Sequence, residues 1–302
     1  MYMFGVTILG NNSALPAYDR HPTAQAITLN EQLFLIDCGE GTQMQLAKYK
    51  VKRGRINHIF ISHLHGDHYF GLIGLLTSMG LLGREQDLHL YGPPQLKDII
   101  ELQLNVAATT LPYALHFYPL ETEGLILDHP KYAVECFKTQ HRIPCFGFII
   151  REKKKPRKIN KDAVLSYEIP SVYYERLKNG DDYETRDGKV IKNEWVTYPN
   201  IPGRSYAFCA DTIYDPQIAK KTKGVTMLYH EATYLQDLEE RAAARYHSTT
   251  IQAAAIAQQA EVQKLLIGHF SSKYELLDDF LTEAQSVFPN TQLAIEGTTY
   301  LI

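Results

Sequence analysis

Apolar stretches of four to seven residues, broken by Gly, Asn and Pro, run through the first sixty positions. Met3–Leu9, Ala26–Leu29 and Gln32–Asp37 read as strands, with Asn30-Glu31 as a hairpin turn between the last two. The apolar start, Met1 to Gly10, lacks the basic flank and small-residue cleavage site of a signal peptide and reads as the first strand. Residues 40–50 predict a short helix and Ile56–Ser62 another strand. From Tyr69 to Leu82 the apolar spacing and length predict a helix that carries Gly71 and Gly74, whose cost to a helix implies close packing against a neighbour. Leu88–Tyr91 reads as a strand, and Pro93-Pro94 opens a second helix. Strands are expected around 114–120, 124–127, 132–139 and 146–151. Later, strands Tyr206–Ala210, Thr226–Tyr229, Lys264–Gly268 and Gln292–Glu296 alternate with helices Thr249–Ala260 and Glu275–Val287. A β-rich first half and an alternating second half imply an α/β architecture of two packed sheets with helices outside.

Composition narrows the class. The longest mostly apolar run, Gly71 to Gly83, is 13 residues, against about 20 for a membrane-spanning helix. With 302 residues, 45% hydrophobic and 22% charged, the chain can bury a sizeable core. A formal charge of −3 advertises no polyanionic ligand, so any nucleic-acid surface must be local. Cys38, Cys136, Cys145 and Cys209 form no C-x-x-C pair and read as reduced, buried thiols of a cytoplasmic protein.

One segment stands apart. Residues 151–200 hold 12 Lys/Arg and 9 Asp/Glu, a net +3 in a chain that is otherwise −6. The segment opens on REKKKPRKINK and holds five tyrosines and the only tryptophan, Trp195. Asp187-Gly188 is a two-residue hairpin signal. Few aliphatic residues are available for a core, so an inserted, solvent-exposed arm is expected.

The sharpest chemistry is His63-Leu64-His65-Gly66-Asp67-His68, directly after the strand INHIFIS. On extended chain His63 and His65 point to one side; Gly66 lets the backbone turn, so that Asp67 and His68 reach the same cavity. Such N and O donors suit zinc or a similar borderline ion better than calcium or magnesium. Four donors so close crowd one tetrahedral ion, which points to two metals about 3.5–4 Å apart, completed by distant ligands. His141, Asp211 and His269 each take the first polar position after an apolar run and are the candidates; Asp211 could bridge, having two oxygens. Each alone is more often a turn residue. His230-Glu231 also follows a strand, and His247 precedes Ser248-Thr249, an expected helix cap. His21, His58, His89, His116 and His129 read as structural or exposed.

The H-x-H-x-D-H run resembles the metallo-β-lactamase superfamily. DCGEGTQ (Asp37 to Gln43), ISHLHGDHYFGLIGLL, HEATY (His230 to Tyr234), YHST (Tyr246 to Thr249) and GHFSSKY (Gly268 to Tyr274) resemble the ribonuclease Z family in order and over nearly the whole chain. The resemblance implies a four-layer αβ/βα sandwich forming one domain over 1–302, with an inserted tRNA-binding arm at 152–198. It implies two zinc ions per chain, one on His63, His65, His141 and Asp211, the other on Asp67, His68, Asp211 and His269. A bridging hydroxide would be the nucleophile, oriented or deprotonated by Asp67, and His247, supported by Glu231, would protonate the leaving 3′-oxygen. Ser271, Ser272 and Lys273 would touch phosphate oxygens beside His269. Lys153, Lys154, Lys155, Arg157 and Lys158 would neutralise tRNA phosphates in the arm. The implied activity is cleavage of the 3′ trailer of precursor tRNA after the discriminator nucleotide, by a cytoplasmic homodimer with no membrane partner and no nucleotide cofactor. Two other readings stay open at this stage: a dinuclear hydrolase of small phosphodiesters or esters, and an RNA-binding module with a structural metal site.

Overall fold

The computed structural model describes residues 3–153, 156–200 and 202–302. The chain divides into two compact units, one of Asp128–Ala133 and Arg151–Arg204, the other made by the rest of the chain. In chain order, the first part of the larger unit runs β1 (Phe4–Gly10), β2 (Ala24–Leu29), β3 (Gln32–Ile36), α1 (Thr42–Lys48), β4 (Ile56–Phe60), α2 (Gly66–Tyr69), α3 (Leu72–Leu81), β5 (Leu88–Gly92), α4 (Gln95–Val106) and β6 (Leu115–Pro119). Then come β7 (Gly124–His129), β8 (Tyr132–Lys138) and β9 (Phe146–Glu152). The smaller unit holds β10 (Lys158–Ile159), α5 (Lys161–Ser166), α6 (Tyr174–Asn179), β11 (Tyr183–Glu184), β12 (Val190–Ile191), α7 (Asn193–Val196) and β13 (Thr197–Tyr198). The chain closes with β14 (Ser205–Cys209), α8 (Gln217–Lys221), β15 (Met227–Glu231), α9 (Glu239–Ala244), α10 (Thr250–Gln259), β16 (Lys264–Gly268), α11 (Asp278–Val287), β17 (Thr291–Leu293) and β18 (Thr299–Leu301).

Two seven-stranded sheets result, ordered β18-β1-β2-β3-β4-β5-β6 and β17-β16-β15-β14-β9-β8-β7. Side-chain alternation sends one face of each sheet to helices and the other towards its partner sheet. On β4 and β5, Ile59, Leu88 and Leu90 join Leu46 of α1, Leu72 to Met79 of α3, and Leu96 and Ile100 of α4 in one buried cluster. Ala207, Leu228, Leu265 and Ile267 pack likewise on α8, α10 and α11. Between the sheets the filling is aromatic: Phe60 meets Phe148 at 5.4 Å, and Tyr206 hydrogen-bonds Gln25. This is the four-layer sandwich. The parallel strands β14 to β16 are apolar almost throughout because both faces are covered. All four cysteines are buried and free. Among the described residues no helix is long and apolar enough to cross a membrane.

Several elements differ from the sequence pattern. The helix expected over 69–82 runs from Leu72 to Leu81, and a separate short helix, Gly66–Tyr69, precedes it. Gly71 N–H donates to Cys38 O at 2.9 Å and Cys38 N–H to His68 O at 2.7 Å, so backbone meets backbone and the helix resets. A Cβ on Gly71 would lie 2.2 Å from Gly39 O, which is why glycine stands there. The last helix starts at Asp278 rather than Glu275, since the carbonyls of Tyr274 and Glu275 accept from the Arg20 guanidinium. The last strands are Thr291–Leu293 and the unforeseen Thr299–Leu301, which pairs with β1.

The smaller unit corrects two expectations. It has a core of its own, of Val164, Ile169, Leu177, Ile191 and Val196. Asn193 braces it, its Nδ2 donating to the carbonyls of Leu177 and Asp181 at 2.8 Å. The hairpin at Asp187-Gly188 is wider than two residues: β11 ends at Glu184, β12 begins at Val190, and Thr185 N–H donates to Lys189 O at 3.0 Å.

Gly71→Ala tests the backbone junction. Overpacking of this kind costs about 1–3 kcal/mol, and urea denaturation should show it as a lowered midpoint at unchanged slope; a wild-type midpoint would show that the junction yields.

Candidate metal centre

The cluster forms where strands of both sheets end. β4 leads into His63, His65, Asp67 and His68; β8 leads to His141, β14 to Asp211, β15 to Glu231 and β16 to His269. His230 and Glu231 are the last residues of β15 rather than its successors. Gly66 has no left-handed backbone, and a Cβ there would lie 2.2 Å from the exposed ring of Phe70. His269 does hold a left-handed backbone, with φ of 62°, a strained conformation for a residue with a side chain.

The seven expected donors converge in two groups. His63 Nε2 and His141 Nε2 each lie 3.1 Å from His65 Nδ1, and 3.6 and 3.8 Å from Asp211 Oδ2. His68 Nε2 lies 3.3 Å from His269 Nε2 and 3.5 Å from Asp67 Oδ2. Asp211 Oδ1 stands 3.4 Å from His68 Nε2 and 3.2 Å from His269 Nε2. Donors about 2.0–2.1 Å from one tetrahedral ion would be separated by about 3.3 Å, and the observed spacings scatter around that value. Asp211 faces both groups, one oxygen to each, and is buried; its Oδ1 has no hydrogen-bond partner among the described residues. The donor set thus fits a pair of cations.

Electrostatics agree. Burial, and then cationic neighbours, push His63 well below the usual imidazole range, and burial lowers His141. Burial together with His141 brings His65 down to about 4. Burial would raise Asp67 and Asp211, but the facing imidazoles of His68 and His269 outweigh it and hold both well below the ordinary carboxylate range. Burial would lower His68, yet Asp211, Asp67 and Asp37 raise it well above the usual value. His63, His65, His141, Asp67 and Asp211 therefore stand ready as neutral imidazole or carboxylate, and His68 carries a proton whose place a cation would take.

A second ring of residues aims the donors. Asp37 Oδ2 binds His68 Nδ1 at 2.7 Å and accepts from Ser62 Oγ at 2.9 Å, while Ser62 Oγ lies 3.0 Å from His63 Nδ1. One buried carboxylate thereby sets the tautomer of an imidazole in each group. Thr233 Oγ1 holds His269 Nδ1 at 2.9 Å, and His141 Nδ1 donates to Tyr246 O at 2.9 Å. The sequence reading missed Asp37, Ser62 and Thr233 as parts of the site. The carboxylate closing strand Gln32–Asp37, a strand end like the one before Asp211, was the available signal.

His247 sits beside the cluster. Its Nδ1 lies 3.0 Å from Glu231 Oε1, and Glu231 also takes N–H groups of Thr212, Thr233 and Ser248 at 3.0–3.1 Å. Thr249 caps α10 with a full capping box, fixing the chain just after His247. Burial would lower the His247 imidazole, but Glu231 dominates and raises it to about 9. A cleft of about 400 Å³ opens over this edge, with Ala14, Phe70 and Arg142 among its walls and His65, Asp67, Asp211 and His247 in it. The Ala14 N–H donates to Asp67 Oδ2 at 2.7 Å.

Ser271 and Ser272 are half-buried just past His269, and the Lys273 ammonium lies over the Tyr274 ring at 5.6 Å. Lys153 pairs with Asp128, Arg157 Nε donates to Thr197 Oγ1 at 2.7 Å, and Lys158 is exposed on β10. Lys154 and Lys155 fall outside the described residues.

Fold and site define a metal-dependent hydrolase of metallo-β-lactamase type. The metallo-β-lactamase-fold protein YhfI of Bacillus subtilis superposes over the full length of both chains with a TM-score of 0.70 at 18% identity. A family model described as Anti-Pycsar protein Apyc1 matches residues 4–177. The ribonuclease Z of Bacteroides thetaiotaomicron is 47% identical over 299 residues, covering 98% of this chain and 95% of that protein. That of Porphyromonas gingivalis W83 is 43% identical over 298 residues, covering 98% of each. The short form of human tRNase Z matches with a TM-score of 0.71 at 26% identity over 98% of both chains. The chain belongs to the ribonuclease Z family, and is accordingly a metal-dependent endoribonuclease.

Two outcomes follow from the site. Asp37→Asn should weaken cation binding about 10–100-fold in a chelator competition; unchanged affinity would remove its aiming role. In metal-stripped protein, His247 is raised from 6.5 to about 9 in the fold, so its pairing stabilises fully below the unfolded value and is lost as pH rises through the folded one. Thermal melts should fall across that window, and less steeply for His247→Gln; an identical slope would contradict the pairing.

Proposed function

We propose that this enzyme cleaves the 3′ trailer of precursor tRNA after the discriminator nucleotide, using two zinc ions. His63, His65, His141 and Asp211 would hold one ion; Asp67, His68, Asp211 and His269 would hold the other. Bound there, the ions would acidify water towards neutral pH and offset charge developing on the phosphodiester. The chain's own residues do the rest. Asp67 offers its carboxylate to orient the attacking water and take its proton. His247, its Nδ1 engaged by Glu231, presents Nε2 to the leaving 3′-oxygen and gives up a proton there, since an alkoxide is a poor leaving group. Glu231 keeps that imidazole cationic and oriented.

The observation that carries this reading is the Glu231–His247 pair at 3.0 Å. A purely structural metal site has no use for a protonated imidazole beside its donors, and neither has an RNA-binding module. Ser271, Ser272 and Lys273, just past His269 and Phe270, serve phosphate oxygens in this reading. Residues 152–198, with Lys153, Lys154, Lys155, Arg157 and Lys158, form the exosite that holds the folded RNA away from the scissile bond, as recognition by shape requires. A homodimer completes the reading.

Incubation of the purified protein with a precursor tRNA, followed by mapping of the new 3′ end, decides the matter. The end should fall immediately after the discriminator nucleotide; intact RNA or scattered cuts would overturn the proposal. His247→Ala should keep its bound zinc by elemental analysis while cleavage slows about 10²–10⁴-fold; zinc loss in that variant would contradict the acid role.

A further inference from the structure

Two side chains in the wall of the cleft over the cluster stand outside the donor groups. Phe70 directly follows α2, and it is 63% exposed. A single apolar ring on an open surface needs no explanation, but this one stands in the cleft that holds His65, Asp67, Asp211 and His247. It lies on the backbone between two donors, since a Cβ on Gly66 would come within 2.2 Å of it. Tyr69 meets it edge-on, with ring centroids 5.1 Å apart and planes at 66°. Phe70 N–H donates to Gly66 O and Gly71 N–H to Cys38 O, both at 2.9 Å, so the backbone beneath the ring is fixed on both sides.

Arg142 is the second side chain. It stands beside His141 in a loop whose base is closed by Thr139 N–H donating to Cys145 O at 3.0 Å, and Thr139 Oγ1 ties that base to Asp211 O at 2.8 Å. Arg142 is exposed, lines the same cleft and makes no hydrogen bond or ion pair among the described residues. Among those residues no other arginine or lysine lines the cleft. Of the cleft's carboxylates, Asp67 and Asp211 belong to the donor groups, and Glu40 is exposed. A guanidinium left unpaired beside the donors offers its planar fork to phosphate oxygens, and an exposed ring offers a face to a base. An RNA phosphodiester cannot come to the donors alone, because the nucleotides on either side of it enter the same cleft.

We propose that Phe70 and Arg142 form a subsite for one nucleotide adjoining the scissile bond, the ring stacking on its base and the guanidinium holding the phosphate on its far side. Stacking of this kind tolerates any base, since each has a π face. The subsite therefore sets the path of the strand across the donors rather than reading its sequence. The inference rests on the reading of the enzyme as one that cuts precursor tRNA, and it adds two residues that align the bond. The nucleotide is either the discriminator or the first of the trailer, and the experiment separates the two.

The substrates are precursor tRNAs with an abasic discriminator, with an abasic first trailer nucleotide, or with an uncharged methylphosphonate on the far side of either nucleotide. Each is given to the intact, zinc-loaded protein and its variants. Phe70→Ala should lower kcat/KM on unmodified precursor roughly tenfold, whereas Phe70→Tyr should retain most of it. The alanine penalty should vanish on one abasic precursor and persist on the other, which names the nucleotide. Arg142→Ala should also lower kcat/KM roughly tenfold, Arg142→Lys less so. Its penalty should vanish when the far phosphate of that same nucleotide is uncharged. Zinc content by elemental analysis should match wild type in all these variants. A Phe70→Ala penalty that survives both abasic sites, or an Arg142→Ala penalty that survives both methylphosphonates, would overturn the proposal. So would a Phe70→Ala protein whose sedimentation differs from wild type at equal concentration, which would assign the ring to a second copy of the chain. If wild type leaves unmodified precursor intact, the functional reading falls and the subsite with it; if both alanine variants cut precursor as wild type does, only the subsite falls.

Discussion

The structure turns on one carboxylate. Asp211 is buried at the end of a strand, and its two oxygens face two separate groups of donors, His63 with His141 at 3.6–3.8 Å and His68 with His269 at 3.2–3.4 Å. Burying a charge is expensive unless it is met by opposite charge. Here imidazoles supply part of that compensation, and the remainder is the place for cations. Everything around Asp211 serves this arrangement. The two sheets end at a common edge, and outer residues such as Asp37 and Thr233 hold the rings of His68 and His269 by the nitrogen turned away from the cluster.

Much of this was legible in the sequence. The run His63 to His68 carries dense chemistry in six positions, and a strand before it fixes which way the side chains point. His141, Asp211 and His269 were visible because each interrupts an apolar strand with its first polar residue. Asp37, Ser62 and Thr233 were not read as part of the site, since a single Asp, Ser or Thr at the end of a strand looks like any turn residue. Their role exists only once β3 pairs with β4 in one sheet and the other sheet brings the end of β15 to the same edge. Glu231 and His247 lie sixteen positions apart and meet because a tight cap at Thr249 returns the chain towards β15.

The fold was legible in its strands and less so in its joints. Periodicity cannot report that Gly71 touches the Gly39 carbonyl, so the helix after the histidine run looked continuous. The start of α11 was misplaced because Arg20, more than 250 positions away, takes the carbonyls that would have extended it. In the smaller unit Val164, Ile169, Leu177, Ile191 and Val196 are too scattered to show a period, yet two-stranded ladders and the Asn193 side chain gather them into a core.

The pairing of β1 with β18, and the spread of the donors from His63 to His269, bear on how the protein comes into being. During synthesis the histidine run leaves the ribosome about two hundred residues ahead of its last partner, and the first strand waits for Thr299–Leu301 before its outer edge is covered. Contacts of such sequence separation form late and slowly. A nascent chain therefore offers an open set of imidazoles that can catch a stray ion without the geometry to use it. Catalytic competence arrives as one event, once His269 has joined the donors that precede it.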